Sequence, residues 1–336
     1  MHEFGRHDHI VRILSVFETT QESTCILMEY LPLSLQEYLR LDPELELHEI
    51  RLITAGVLLG LYALKQIHLI HVDIKPNNIM LLKADDCIRA KIIDFGICEL
   101  TTEGPHLGLY VQAKPYRAPE VFLGYEVTPA IDIWSLGVCA SEMCIRDALF
   151  DNLDSNEAFR SILRRIVVED DAYIEDAPNR DRYFELAEDG YFEFKYGSLP
   201  ANGAKLDRIL MGLEAHSRLN DFERSDFVDL MIKMVCFDHR SRITVEVALL
   251  QNFITMSNDS DPTSACPYSG KLRHKVMLHQ SCPTLRGTLR QLKRLGLNGG
   301  NDDPTERDTL DSLGTSPSDS EIEAPARKRL KSVYPS

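Results

Sequence analysis

His71-Val72-Asp73-Ile74-Lys75-Pro76-Asn77-Asn78, followed 21 residues after Asp73 by Asp94-Phe95-Gly96, is the stretch that decides how this sequence reads. The octapeptide sets an acid, a base and two amides around a proline, which interrupts any regular element. Asp94 closes the apolar run Lys91-Ile92-Ile93, and the nearby glycine favours a turn. Taken singly, each is what an ordinary polar loop or strand-end turn contains. Two more runs follow in order. One is Tyr116-Arg117-Ala118-Pro119-Glu120, with Asp132-Ile133-Trp134-Ser135-Leu136-Gly137 after it; the other is Asp238-His239-Arg240-Ser241-Arg242-Ile243-Thr244. Chance loops do not arrive in this order at these spacings.

The surrounding pattern supplies elements to carry these runs. Ile10-Val11-Arg12-Ile13-Leu14 and Cys25-Ile26-Leu27-Met28-Glu29-Tyr30 are rich in β-branched residues and flank the polar Thr19–Ser23, so they predict a hairpin. Leu35, Tyr38 and Leu39 share one face of a short helix. From His48 to His68 the residues Ile50, Ile53, Val57, Leu61 and Leu64 fall at the spacing of a half-buried helix, with Gly56 and Gly60 allowing close packing. Ile79–Leu82 and Ala90–Ile93 predict short strands. Ile131–Met143, with the only tryptophan, Trp134, predicts a buried helix, and Phe227–Val235 and Val245–Leu250 predict two more. From about Met256 the sequence becomes polar, and 298–325 are dominated by Asp, Ser, Thr, Pro and Gly, a composition that predicts disorder.

Bulk properties narrow the function classes. The 336 residues are 44% hydrophobic and 26% charged, as in a globular protein. A net charge of −15 disfavours a general nucleic-acid binder, which needs a basic face for phosphates. Eight scattered cysteines contain no CxxC pair, so neither a zinc site nor a redox dithiol is suggested, and Cys139 and Cys144 read as core residues. The polar N-terminus resembles no signal peptide, and the absence of a long apolar run argues against a membrane span. A chain of the cytoplasm, the nucleus or both is expected.

Taken together, residues 5 to 256 resemble the eukaryotic protein kinase family. Of the family pattern H-R-D-L-x-x-x-N, D-F-G and A-P-E, this chain has His71, Asp73 and Asn78 of the first and all of the other two. The resemblance implies an α+β kinase-like fold, mainly the helical C-terminal lobe (32–256) with a remnant of the N-terminal lobe sheet (1–31) and a disordered tail (257–336). It implies transfer of the ATP γ-phosphoryl group to a protein hydroxyl, with ATP and Mg2+ as cofactors. Asp73 would accept the hydroxyl proton, Lys75 would offset charge on the moving group, and Asn78 and Asp94 would hold magnesium through hard oxygen ligands. Lys75 at its place is the pattern of Ser/Thr-directed kinases. Met28 would be the gatekeeper, and Glu29, Tyr30 and Leu31 the hinge that binds adenine. His71, Phe95, Glu120, Asp132 and Arg242 would be structural: Glu120 pairs with Arg242 in the family, and Asp132 holds the catalytic-loop backbone. The run Tyr110–Gly124 is similar to the activation segment of dual-specificity tyrosine-regulated and homeodomain-interacting kinases of the CMGC group. There Tyr110 stands at the activating tyrosine, which could be phosphorylated in cis, and Lys114 and Arg117 bear on substrate preference.

The sequence also departs from the pattern. Val72 replaces an arginine that binds a phosphorylated activation segment, so that form of control is expected to be lost or rerouted. No Gly-rich loop or strand lysine precedes Ile10, so the chain reads as truncated within the regulatory helix. Three explanations are open: a fragment of an active kinase, a weak or inactive pseudokinase-like interaction module, or a sheet completed by another chain. The exposed edge of the lobe remnant would be a docking place in the last two cases. In the tail, Arg286, Arg290, Lys293 and Arg294 alternate with Leu285, Leu289, Leu292, Leu295 and Leu297, a basic amphipathic pattern suited to docking. Arg327–Lys331 is of nuclear-import type and Ser316-Pro317 of proline-directed phosphosite type. Protein substrates are expected as partners; nucleic acid and membrane are not.

Overall fold

The structure, a computed structural model, describes residues 7–19, 23–41, 45–84, 87–101, 111–150, 154–168, 170–187, 190, 192–197, 206, 210 and 221–256. Tyr110, the end of the regulatory helix at 1–6, the basic segment 285–297, Ser316-Pro317 and the cluster 327–331 lie outside the described residues.

The chain opens with an antiparallel hairpin of β1 (Ile13–Glu18) and β2 (Thr24–Met28), in which Val16 faces Ile26 and Phe17 faces Cys25. The first strand was expected at Ile10–Leu14; it begins instead at Ile13. The reason is a competing use of the preceding backbone. Ile92 donates its N–H to the His9 carbonyl and accepts from Val11 N–H, both at 2.9 Å, so Ile10 forms an isolated parallel bridge to Ile92. β-Branched residues extend the chain in either role.

β3 (Leu33–Ser34) leads directly into α1 (Leu35–Leu41). Ser34 and Glu37 cap this start reciprocally: Glu37 N–H donates to Ser34 Oγ at 3.2 Å, and Glu37 Oε2 accepts from Ser34 N–H at 2.9 Å. α2 (Leu47–Lys65) begins with a second reciprocal cap, between Glu46 and Glu49. This helix was expected to be half-buried. It is buried on nearly every side, because β6, α4 and the last two helices of the described chain all pack on it. By length and hydropathy alone it could cross a bilayer; here it is the central core helix. Gly60 makes the packing possible: a Cβ there would sit 2.6 Å from Ile92 Cδ1.

β4 (Leu69–Ile70) pairs with β7 (Glu99–Leu100), and β5 (Ile79–Ala84) with β6 (Cys87–Ile92), β3 adding to the edge of β5. The loop 71–78 therefore emerges between two small antiparallel sheets and closes in a 3-10 turn at Pro76–Asn78. Beyond it the chain is helical: α3 (Pro119–Leu123), α4 (Ala130–Ile145), α5 (Ser155–Arg165), α6 (Ala172–Glu175) and α7 (Arg180–Tyr183). A short hairpin, β8 (Phe184–Leu186) and β9 (Phe192–Phe194), precedes α8 (Asp221–Met234), α9 (Val245–Ala248) and α10 (Asn252–Thr255). α4 is buried almost throughout, with Trp134, Cys139 and Cys144 in the core. Phe159 on α5 stacks on Phe122 at 5.0 Å and meets Tyr183 edge-on at 4.8 Å, which ties α3, α5 and α7 together. Packed helices together with small antiparallel sheets make the α+β arrangement.

Candidate active site

Loop 71–78 is held from below by one carboxylate. Asp132, in the first turn of α4, accepts from His71 N–H at 2.7 Å and from Val72 N–H at 2.9 Å, one on each oxygen. Those bonds hold Val72 at φ 62°, a region costly to a β-branched residue. The valine side chain is wholly buried. Burial pushes the Asp132 carboxyl up to about 7, against the lowering effect of the two amides. His71 is fully enclosed, and burial holds its imidazole below the usual range and neutral. Asp73 N–H needs an acceptor, and His71 Nδ1 lies 3.3 Å away. Nδ1 is therefore bare, and Nε2–H donates to the Ile93 carbonyl at 2.9 Å. Phe95 meets the His71 ring edge-on at 5.1 Å.

Above this base the chemistry-bearing groups converge. Asp73 Oδ2 receives Lys75 Nζ at 2.6 Å and Asn78 Nδ2 at 2.9 Å, and Asn78 Nδ2 also reaches the Asp73 carbonyl at 2.9 Å. One carboxylate oxygen thus carries the internal bonds and leaves Oδ1 for an incoming group. Both hydrogen bonds of Asn78 run through its nitrogen, which leaves its amide oxygen as a ligand. Ile93 N–H donates to the Asn78 carbonyl at 3.0 Å, so Asp94 is delivered beside the loop. Asp94 is exposed, at φ 63°, and accepts from Gly96 N–H at 3.3 Å. The donor set is an amide oxygen and a carboxylate, both hard. It suits magnesium, which takes one or two protein ligands and fills its remaining positions with water and phosphate oxygens. Among the described residues no three His, Cys, Asp or Glu side chains gather into an all-protein metal cage.

The residues expected to form the hinge lie at and just after the end of β2. Met28 is exposed, Tyr30 is 87% exposed and Leu31 is buried. Glu29 turns inward: its Oε1 accepts from Arg12 N–H at 2.7 Å and pairs with Lys91. Its backbone N–H is used by the Arg12 carbonyl at 2.9 Å, leaving the peptide groups of Tyr30 and Leu31 for a ligand.

The segment from Val111 is built around Gln112, which lies at φ 62° and is buried. Its side-chain amide donates to the Ile131 carbonyl and Ser135 Oγ and accepts from Ala118 N–H, at 2.7 to 3.0 Å. Arg117 also faces inward, its Nε on the Val111 carbonyl at 2.8 Å and Nη2 on the Gln112 carbonyl at 2.9 Å. Lys114 stands in the 3-10 turn Lys114–Tyr116. Tyr116 donates its hydroxyl to Glu142 Oε2 at 2.9 Å, and Leu149 N–H occupies Glu142 Oε1 at 3.0 Å. Burial pushes the Glu142 carboxyl up to about 7. Below, Arg242 forks onto Glu120 with Nη1 and Nη2 at 2.5 and 2.8 Å, both side chains fully enclosed.

Sequence reasoning named the loop acids, the base and the structural pair, but it passed over Gln112, Glu142 and Lys91. A lone glutamine in a polar run carries no signal, whereas Glu142 had one, since it lies in the stretch Ile131–Met143 that predicts a buried helix. Lys91 had one: a lysine in the apolar strand Ala90–Ile93 must find a counter-charge if the strand is buried.

A loop that gathers an acid, a lysine and an amide on one carboxylate oxygen is the kind of arrangement that phosphoryl transfer calls for. The protein kinase domain matches residues 1–254, and the chain belongs to the protein kinase family. It groups there with CMGC kinases. It is 34% identical over 181 residues to the dual specificity protein kinase YAK1 homolog of Arabidopsis thaliana, covering 53% of this chain and 19% of that protein. It is 29% identical over 268 residues to homeodomain-interacting protein kinase 1 of Caenorhabditis elegans, covering 70% and 32%. It is 28% identical over 275 residues to mitogen-activated protein kinase 1 of Oryza sativa subsp. japonica, covering 78% and 62%. The chain thus spans between about a fifth and three-fifths of these relatives' lengths.

Proposed function

We propose that this chain is a serine/threonine-directed protein kinase that moves the γ-phosphoryl group of ATP to a protein hydroxyl. The observation that carries the reading is the Asp73 carboxylate, held on Oδ2 by Lys75 and Asn78 with Oδ1 left open. Asp73 Oδ1 orients the acceptor hydroxyl and takes its proton. Lys75, 2.6 Å from Asp73, stands where negative charge grows on the transferring group and offsets it. Asn78 and Asp94 hold magnesium, which when bound neutralises phosphate charge. Asp132 and neutral His71 keep the loop in its strained form, so little reorganisation is left for the moment of reaction. The peptide groups of Tyr30 and Leu31 receive adenine. Glu120, Arg242, Gln112 and Arg117 stiffen the platform against which the acceptor peptide lies.

A thermal-shift titration of the 336-residue chain with ATP and magnesium tests this. Stabilisation that disappears in Asp94→Ala is expected, since a ligand that binds only the folded state stabilises it by mass action, about 2.7 kcal/mol at 100 times its Kd. Absence of any shift, together with no phosphate transfer to a generic protein substrate, would leave the chain an interaction module.

A further inference from the structure

Lys91 takes no part in the chemistry above, yet it is one of the least expected side chains in the fold. It lies on β6, only 9% of its side chain exposed, with its Nζ 2.5 Å from Glu29 Oε1. Buried lysines are rare unless paired, because the ammonium loses its hydration. The partner is a hinge residue 62 positions earlier. The same Glu29 oxygen accepts from Arg12 N–H at 2.7 Å, and Arg12 returns its carbonyl to Glu29 N–H at 2.9 Å. One residue beyond Lys91, Ile92 is bonded on both backbone atoms to His9 and Val11. Lys91 stands three residues before Asp94 and one before the end of β6. A single carboxylate oxygen therefore joins three backbones: the segment entering β1, the hinge and the strand β6, which ends two residues before Asp94.

From this geometry we infer that Lys91 is a positioning residue, whose ion pair with Glu29 fixes the spacing between the adenine-binding hinge and the magnesium ligand Asp94. The inference rests on the phosphoryl-transfer reading. A nucleotide engages both ends of the cleft at once, and the second contact is intramolecular once the first is made. Its strength depends on the two ends being held at matching separation, and a well-matched linkage is worth about 100- to 10,000-fold over the separate halves. A structural strut would affect folding alone; a spacer affects the linkage.

The experiment measures binding of three probes to the full chain and its variants: adenosine, magnesium tripolyphosphate and magnesium ATP. In Lys91→Met, adenosine and magnesium tripolyphosphate each stay within about 3-fold of wild type while magnesium ATP weakens by roughly 10- to 100-fold, a share of the linkage gain. Lys91→Arg recovers most of that loss, and Glu29→Gln, which keeps an acceptor for Arg12, is intermediate. These two variants carry the test if Lys91→Met does not fold. Magnesium ATP affinity kept within about 3-fold in folded Lys91→Met, or equal loss of all three probes, overturns the inference while leaving the kinase reading intact. Wild-type protein that binds none of the probes overturns both.

Discussion

At the scale of single residues, the site depends on carboxylates placed where they are costly. Asp132 is enclosed and still carries two amides; Glu142 is enclosed between Tyr116 and the turn at Leu149. Each is pushed up to about 7 by burial. A carboxyl whose folded value is raised contributes stability at pH below its unfolded value and loses it as pH rises through the folded one. For Glu142 that window runs from the ordinary glutamate range to about 7. Glu142→Gln removes the titration and keeps an oxygen for Leu149 N–H and an amide for the tyrosine hydroxyl. Urea unfolding as a function of pH should show the variant gaining on wild type between roughly pH 4 and 7, by up to roughly 3 kcal/mol, and running parallel above. A constant difference at all pH values would assign the effect to packing instead of charge.

At the scale of elements, the contact between α2 and β6 decides where the site sits, because β6 ends two residues before Asp94. Gly60 sets that contact: a Cβ would lie 2.6 Å from Ile92 Cδ1 and 3.0 Å from the His9 carbonyl. Alanine at 60 gains about 1 kcal/mol of helix propensity but forces the strand outward, and overpacking of this kind costs about 1–3 kcal/mol. Gly60→Ala is therefore expected to lower the thermal midpoint, and to lower it less in an Ile92→Val background, where the nearest methyl is gone. A double-mutant cycle without such coupling would place the strain elsewhere. α2 was legible in the sequence because 3.6-residue periodicity survives in a long helix, and α4 because its run is strongly apolar. The extent of α2 burial was not: periodicity reports one packed face, and the covering of the others by β6 and the last helices is set by segments far along the chain. β1 shifted by three residues for a similar reason. Ile10 and Val11 have the composition of a hairpin strand, and only the availability of Ile92 as a partner decides otherwise. In the site, the grouping of Asp73, Lys75 and Asn78 was readable because the three lie within one short run, while Asp94 was named from the separate run Asp94-Phe95-Gly96. Lys91–Glu29 and the Gln112 amide were not, since their meaning comes entirely from the partner.

At the scale of the molecule, one ion pair closes the platform. Glu120 and Arg242 are 122 residues apart in sequence and wholly enclosed. Arg242 also donates to the carbonyls of Cys236 and Ala130, so its charge and its hydrogens are both satisfied. Glu120→Ala leaves that guanidinium buried without a counter-ion, and a loss of about 3–5 kcal/mol is expected in chemical denaturation. A loss under about 1 kcal/mol would mean that water reaches the site. The same pair imposes an order on biosynthesis. Glu120 leaves the ribosome long before Arg242 exists, and until residue 242 emerges the platform holds an acid with nothing to neutralise it. The ion pair that anchors α3 can therefore form only after α4 to α8 have been made. A nascent chain paused between α5 and residue 242 has made both Phe122 and Phe159 but not the arginine that completes the platform beneath them.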